Sequence, residues 1–169
     1  MTLAFKEWSY IVDALGRGRQ SIILRKGGIA EEGGDFMVKG KKFLLLPTLY
    51  HQAGEMIKPQ WLPFLNGEKF NTEDTIKILY YAEIVDTRLL TDYAVVKKLD
   101  QYHAWKDEIV QERFNRWNKS VHLLVLQVYE LLTPVEITMT PEYSGCKSWV
   151  ELKEEVEMIG KPVVNKMII

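Results

Sequence analysis

Residues 20–36 read QSIILRKGGIAEEGGDF, an apolar run closed by two adjacent cations, Arg25 and Lys26, and then by Gly27 and Gly28. Glycine accepts positive φ and lets another group approach the main chain closely. Cations beside such a turn hold an anion, and successive backbone amides within it add to the attraction. The chemistry this pattern suits is phosphate binding. The spacing is not that of a P-loop, which needs Gly-x-x-x-x-Gly-Lys-Ser/Thr, nor that of a dinucleotide fingerprint. The competing reading is a solvated hairpin turn with Glu31 and Glu32 as counter-charges.

A second constellation is DQYHAWKDEIVQERF, residues 100–114, where Tyr102, His103 and Trp105 lead into a helix start. Rings at a helix N-terminus stack a planar ligand and receive its phosphate; the alternative is ordinary aromatic packing at a helix junction. His51, His103 and His122 are the three histidines. They lack the paired spacing and companion ligands of a zinc site, so neither a metal nor another cofactor is expected. His122 lies in an expected strand and reads as structural, while His103 is the candidate general base if the protein is an enzyme. Cys146, in YSGCKSW, has Lys147 and an expected helix start beside it, but no signature pairs it with a base. It reads as a small buried residue. Glu151 and Lys153 lack the further carboxylates of a metal-dependent nuclease. No catalytic residue is assigned.

The totals narrow the partners. A formal net charge of −1 means that any contact with nucleic acid comes from a local basic patch. A single cysteine excludes an internal disulfide framework and fits a reducing cytoplasm, the expected location. The first residues, MTLAFKEWSY, carry Lys6 and Glu7 in place of an apolar signal core. No apolar run approaches the ~20 residues that span a bilayer, so no membrane partner is expected.

The elements that must position these groups follow from periodicity. Phe5, Trp8, Val12 and Leu15 make a helical stripe ended by Gly16 and Gly18. Residues 21–25 form a short strand, and DFMVKGKKFLLLPT forms two strands about Gly40, the second closed by Pro47. Pro59 and Pro63 limit residues 49–66 to a short helix and a loop. TIKILYYAEIVDTRLL is a long alternating strand. Helices are expected over 92–101 and 106–117, the second burying Val110, Phe114 and Trp117, with Arg113 on the adjoining face. SVHLLVLQVYELL is a strand whose middle, Leu123 to Leu126, is buried on both faces, and Pro134 ends it. Ser148 and Glu151 form a capping box for a helix that buries Trp149, Leu152, Val156 and Ile159. A last strand is PVVNKMII. Long strands and helices do not alternate as βαβ units, so the prediction is one α+β domain over 1–169 with a mainly antiparallel sheet.

The segments FKEW, LRKGGI, FLLLPTLYHQ, YHAW, ERF and GCKSWVEL, from Phe5 to about Leu152, together resemble the bacterial family known as domain of unknown function 1802. Ala104 departs from its pattern, which has a bulkier apolar residue followed by serine. The resemblance implies association with restriction-endonuclease-like catalytic domains, hence a restriction–modification or phage-defence setting. IKILYYAEIVDTRLLTDY, helices, and then LLVLQVYELLTPVEI also resemble the PUA-like domains, the ASCH and EVE relatives. That similarity implies a bent sheet or small β-barrel with flanking helices, in relatives that bind RNA or read modified bases. The expected function is therefore a non-enzymatic module that binds DNA or RNA, reading a modified base, with a restriction-endonuclease-like protein as partner. Its contact set is Arg25, Lys26, Gly27, Gly28, His51, His103, Trp105, Arg113 and Trp149. Two rivals remain open: an enzyme on nucleic acid or a nucleotide with His103 as base and Arg25 or Lys26 as phosphate clamp, and a subunit that binds only protein.

Overall fold

A computed structural model describes residues 1–26, 36–49, 53–72, 74–145 and 147–166. The segment 2–16 divides into a strand, β1 (Thr2–Trp8), and a helix, α1 (Ser9–Gly16), so the expected helical stripe begins later than its spacing suggested. Ala4 and Phe5 are buried on opposite faces of β1, and two-sided burial of adjacent residues is a strand property. Then come β2 (Ile22–Arg25), β3 (Lys42–Thr48), β4 (Thr75–Leu90), α2 (Tyr93–Lys97), α3 (Asp107–Asn115), β5 (Val121–Thr138), β6 (Trp149–Leu152) and β7 (Gly160–Pro162). Short 3-10 turns lie at Ala53–Met56, Leu62–Phe64, Asp100–Tyr102 and Pro141–Tyr143.

The strands make one sheet in the order β2-β5-β4-β3-β1-β6, with β7 also paired to β5. Its pairings are antiparallel except for β1 with β3, which run parallel from Ala4↔Leu44 to Trp8↔Thr48. This is the expected α+β fold, in its open, bent-sheet form. One face packs Phe5, Phe43, Ala82, Leu124 and Val128 against α1, whose Ile11, Val12, Ala14 and Leu15 are all fully buried. A smaller cluster on the other face joins Ala4, Leu44, Leu46, Ile78, Tyr81 and Val150. No described helix is long and apolar enough to cross a membrane.

Several sequence expectations are corrected. Pro134 does not end its strand. Ile78 pairs with Val135 and Tyr80 with Glu130, so β5 residues 131–134 bulge out opposite Leu79 alone. A bulge removes the ladder hydrogen bond that proline cannot donate and bends the sheet. The bulge receives β7, with Leu131↔Gly160 in register and the Leu132 N–H donating to Ile159 O at 3.0 Å. The last strand therefore precedes the expected one. Pro47 lies within β3, paired with Glu7, and residues 36–40 are not a strand. The helix expected after Ser148 is instead β6, which pairs with β1 from Thr2↔Leu152 to Phe5↔Trp149. Trp117 is not buried. It lies past the end of α3, 54% exposed, with φ of 62°.

Candidate nucleic-acid interface

Among the described residues the sheet does not close by backbone pairing, yet its two edge strands meet through side chains. Arg25, last residue of β2, donates from Nε to Ser148 Oγ at 3.1 Å, just ahead of β6, and from Nη2 to Lys6 O at 2.9 Å. Its Nη1 lies 3.3 Å from Glu7 Oε2. The Glu7 side chain is fully buried, and Oε1 accepts the Trp8 N–H at 2.8 Å. A buried carboxylate needs this degree of compensation. Above this seam opens a cleft of about 260 Å³.

Its walls come from several elements: Lys6 and Trp8 from β1, Arg25 from the end of β2 and Lys26 just past it, Thr48 from β3, Met56, Glu112, Arg113 and Arg116 around α3, and Lys147 and Ser148 ahead of β6. Among the described residues, six cations thus line one cleft with Glu112 as the lining carboxylate. Their charge is partly spoken for. Arg116 forms a two-point pair with Glu112 at 2.9 and 2.5 Å, and Lys6 Nζ donates to Gly145 O at 2.7 Å. Lys147 is exposed, with Nζ 3.3 Å from Glu142 O.

Arg113 is 8% exposed and donates from Nη1 to Leu24 O at 3.0 Å. Its guanidinium lies 4.8 Å from the ring centroids of both Trp8 and Trp105. Burial lowers its pKa to about 10, so it stays charged at neutral pH. The two indole faces offset part of that desolvation. Lys26 borders the cleft, but its ammonium donates to Asn118 O at 2.7 Å, Asn118 Oδ1 at 2.6 Å and Ser120 O at 2.5 Å. It thereby caps the turn that follows α3, where the carbonyl end of a helix favours a cation.

The remaining expected contacts lie elsewhere. His103 is 1% exposed and Trp105 fully buried, their rings 5.4 Å apart, and neither lines the cleft. Burial first, then the charges of Lys58 and Arg113, push the His103 imidazole down to about 3. A neutral, enclosed imidazole is poorly placed to serve as the base of the rival enzyme reading. Trp149 donates from Nε1 to Met37 O at 2.7 Å and packs on Phe5 and Phe43, outside the cleft lining. Gly27, Gly28, His51 and Cys146 lie outside the described residues.

Among proteins compared by sequence, a family model described as Domain of unknown function (DUF1802) matches residues 4–168. The chain belongs to that family. No curated protein matches it. Among solved structures, the DUF1802 chain is similar to ASCH from Zymomonas mobilis, with 8% identity, a TM-score of 0.51, and coverage of 90% of this chain and 87% of that one. It is also similar to a mutant of the same Zymomonas mobilis protein, again at 8% identity, with a TM-score of 0.53 and 90% of both chains covered. The likeness establishes an ASCH-like, PUA-like fold. Lys6, Trp8, Thr48, Arg116 and Lys147 of the cleft were absent from the expected contact set. FKEW places Lys6 beside Trp8, but the segment read as a helical stripe, which hid its place at a strand end. Among the described residues, no group of three metal-ligating side chains converges.

Proposed function

We propose that the DUF1802 chain is a non-enzymatic nucleic-acid-binding module whose seam cleft takes one nucleotide of a single strand or of an opened duplex. The convergence of six cations among the described residues on one cleft, in a chain of net charge −1, is the observation behind this reading. Cationic surfaces gain affinity for nucleic acid by releasing counterions from phosphate. The size supports a single nucleotide: about 260 Å³ is slightly below the ~300 Å³ lower bound of drug-sized pockets. Lys147, Arg116 and Lys6 meet the phosphate, Arg25 and Arg113 supply fixed positive field from below, and Trp8 with Met56 offers apolar contact to the sugar or base. Extruding a base costs a few kcal/mol, which stacking at ~1–3 kcal/mol per base offsets.

The PUA-like fold, which the sequence resemblance ties to reading of modified bases, supports a modified base as the preferred occupant, in a cytoplasmic restriction or phage-defence setting. A partner with a restriction-endonuclease-like domain would then supply cleavage. Incubating the protein with modified and unmodified single-stranded oligonucleotides, with and without divalent metal, tests the reading. Stable binding of intact strands, tighter for a modified one, is expected. Turnover of the strand would favour the enzyme instead.

A further inference from the structure

Trp117 sits where a bulky side chain is least expected. Its φ of 62° lies in the left-handed region, which is a genuine outlier for a residue of its size. It is also 54% exposed, so burial repays only part of that strain. Such strain persists where surrounding contacts fix it, and here they do. Lys26 clasps Asn118 and Ser120 directly after it, the Asn118 N–H donates to Arg116 O at 2.7 Å, and the Ser120 N–H donates to Phe114 O at 3.1 Å. On the cleft side, the Arg116 guanidinium lies 5.7 Å from the Trp117 ring centroid. Trp117 is thus flanked by Arg116 and by the partners of Lys26, and both cations line the cleft.

We propose that Trp117 is a stacking platform at the rim of the seam cleft, receiving the base next to the nucleotide whose phosphate the cleft holds. This rests on the reading of the cleft as a nucleic-acid site, and names a residue and a role that reading does not supply. Every base has a π-face, so an indole at the rim adds affinity with little sequence preference. The hydrogen bonds of the turn hold the Trp117 backbone, and Arg116 lies against its ring, before the strand arrives, which lowers the cost of ordering them on binding.

The test titrates single-stranded dodecathymidylate and its RNA counterpart against the wild type, Trp117→Gly, Trp117→Leu, Trp117→Phe and Lys147→Ala. Thermal melts run alongside. Trp117→Gly relieves the backbone strain, so it is expected to melt no lower than Trp117→Leu while binding about tenfold more weakly than wild type. Trp117→Leu, apolar but without a ring, loses affinity likewise, and Trp117→Phe recovers most of it. Recovery by the aromatic variant alone is a result that a purely structural tryptophan would not give. Wild-type affinity in Trp117→Gly and Trp117→Leu, with Lys147→Ala weakened, overturns the platform and leaves the cleft reading intact. Absence of binding by the wild type at low salt overturns both.

Discussion

Arg25 and Ser148 are joined side chain to side chain at 3.1 Å, although their segments belong to opposite ends of the strand order. The same guanidinium holds the buried Glu7 carboxylate. One residue therefore tethers the two edges of an open sheet and compensates the charge beneath the cleft. Removing one member of a buried pair leaves the other uncompensated, at about 3–5 kcal/mol. Arg25→Ala should lower the unfolding free energy from urea titration by that order, moving the midpoint down accordingly, and adding Glu7→Gln should recover part of the loss. A midpoint equal to that of wild type would show that the tether contributes nothing.

Lys26 makes a different prediction from its neighbour in sequence. Its ammonium is engaged by Asn118 and Ser120, and hydrogen bonds to a charged group contribute ~1.5–3 kcal/mol. Lys26→Met keeps the stem and loses the cap, so thermal stability should fall by about that amount. A variant that melts like wild type but binds oligonucleotide with a flatter salt dependence would make Lys26 a phosphate ligand rather than a cap.

His103 titrates at about 3 when folded, chiefly because it is buried, against an ordinary value of ~6.5 in the unfolded chain. Between those values the unfolded state binds a proton that the native state refuses. Its contribution to stability is therefore complete above about pH 6.5 and is lost progressively as pH falls toward 3, at up to ~1.4 kcal/mol per pH unit. Urea titrations of wild type and His103→Gln between pH 7 and pH 4 should show the shallower slope in the variant. Parallel slopes would mean that the imidazole is reached by solvent.

Much of the fold was legible in the sequence because its longest elements bury their residues with strand periodicity. TIKILYYAEIVDTRLL is β4 over Thr75–Leu90, as its alternation predicted. The misreading at Ser148 has a local cause: Ser148 and Glu151 satisfy a capping box, and Trp149, Leu152 and Val156 fit a helical stripe. Pairing with β1 across about 150 residues of chain decides the outcome instead. The cleft was half visible. Arg25, Lys26 and Arg113 do meet in its lining, but that Arg25 and Lys26 spend their charge on Glu7 and on the turn after α3 depends on contacts no local pattern encodes. His103 and Trp105 illustrate the reverse: an aromatic cluster at a helix start became core, because Arg113 and the Ile57↔Trp105 bridge close over it.

The salt dependence of oligonucleotide binding tests the cationic cleft most directly. Log affinity for a single strand falls against log salt by ~0.7 per phosphate neutralised. Lys147 is exposed and borders the cleft, so Lys147→Ala should keep the wild-type melting temperature and flatten that slope by about one phosphate. An unchanged slope, or a wild type whose binding does not respond to salt, would contradict the account.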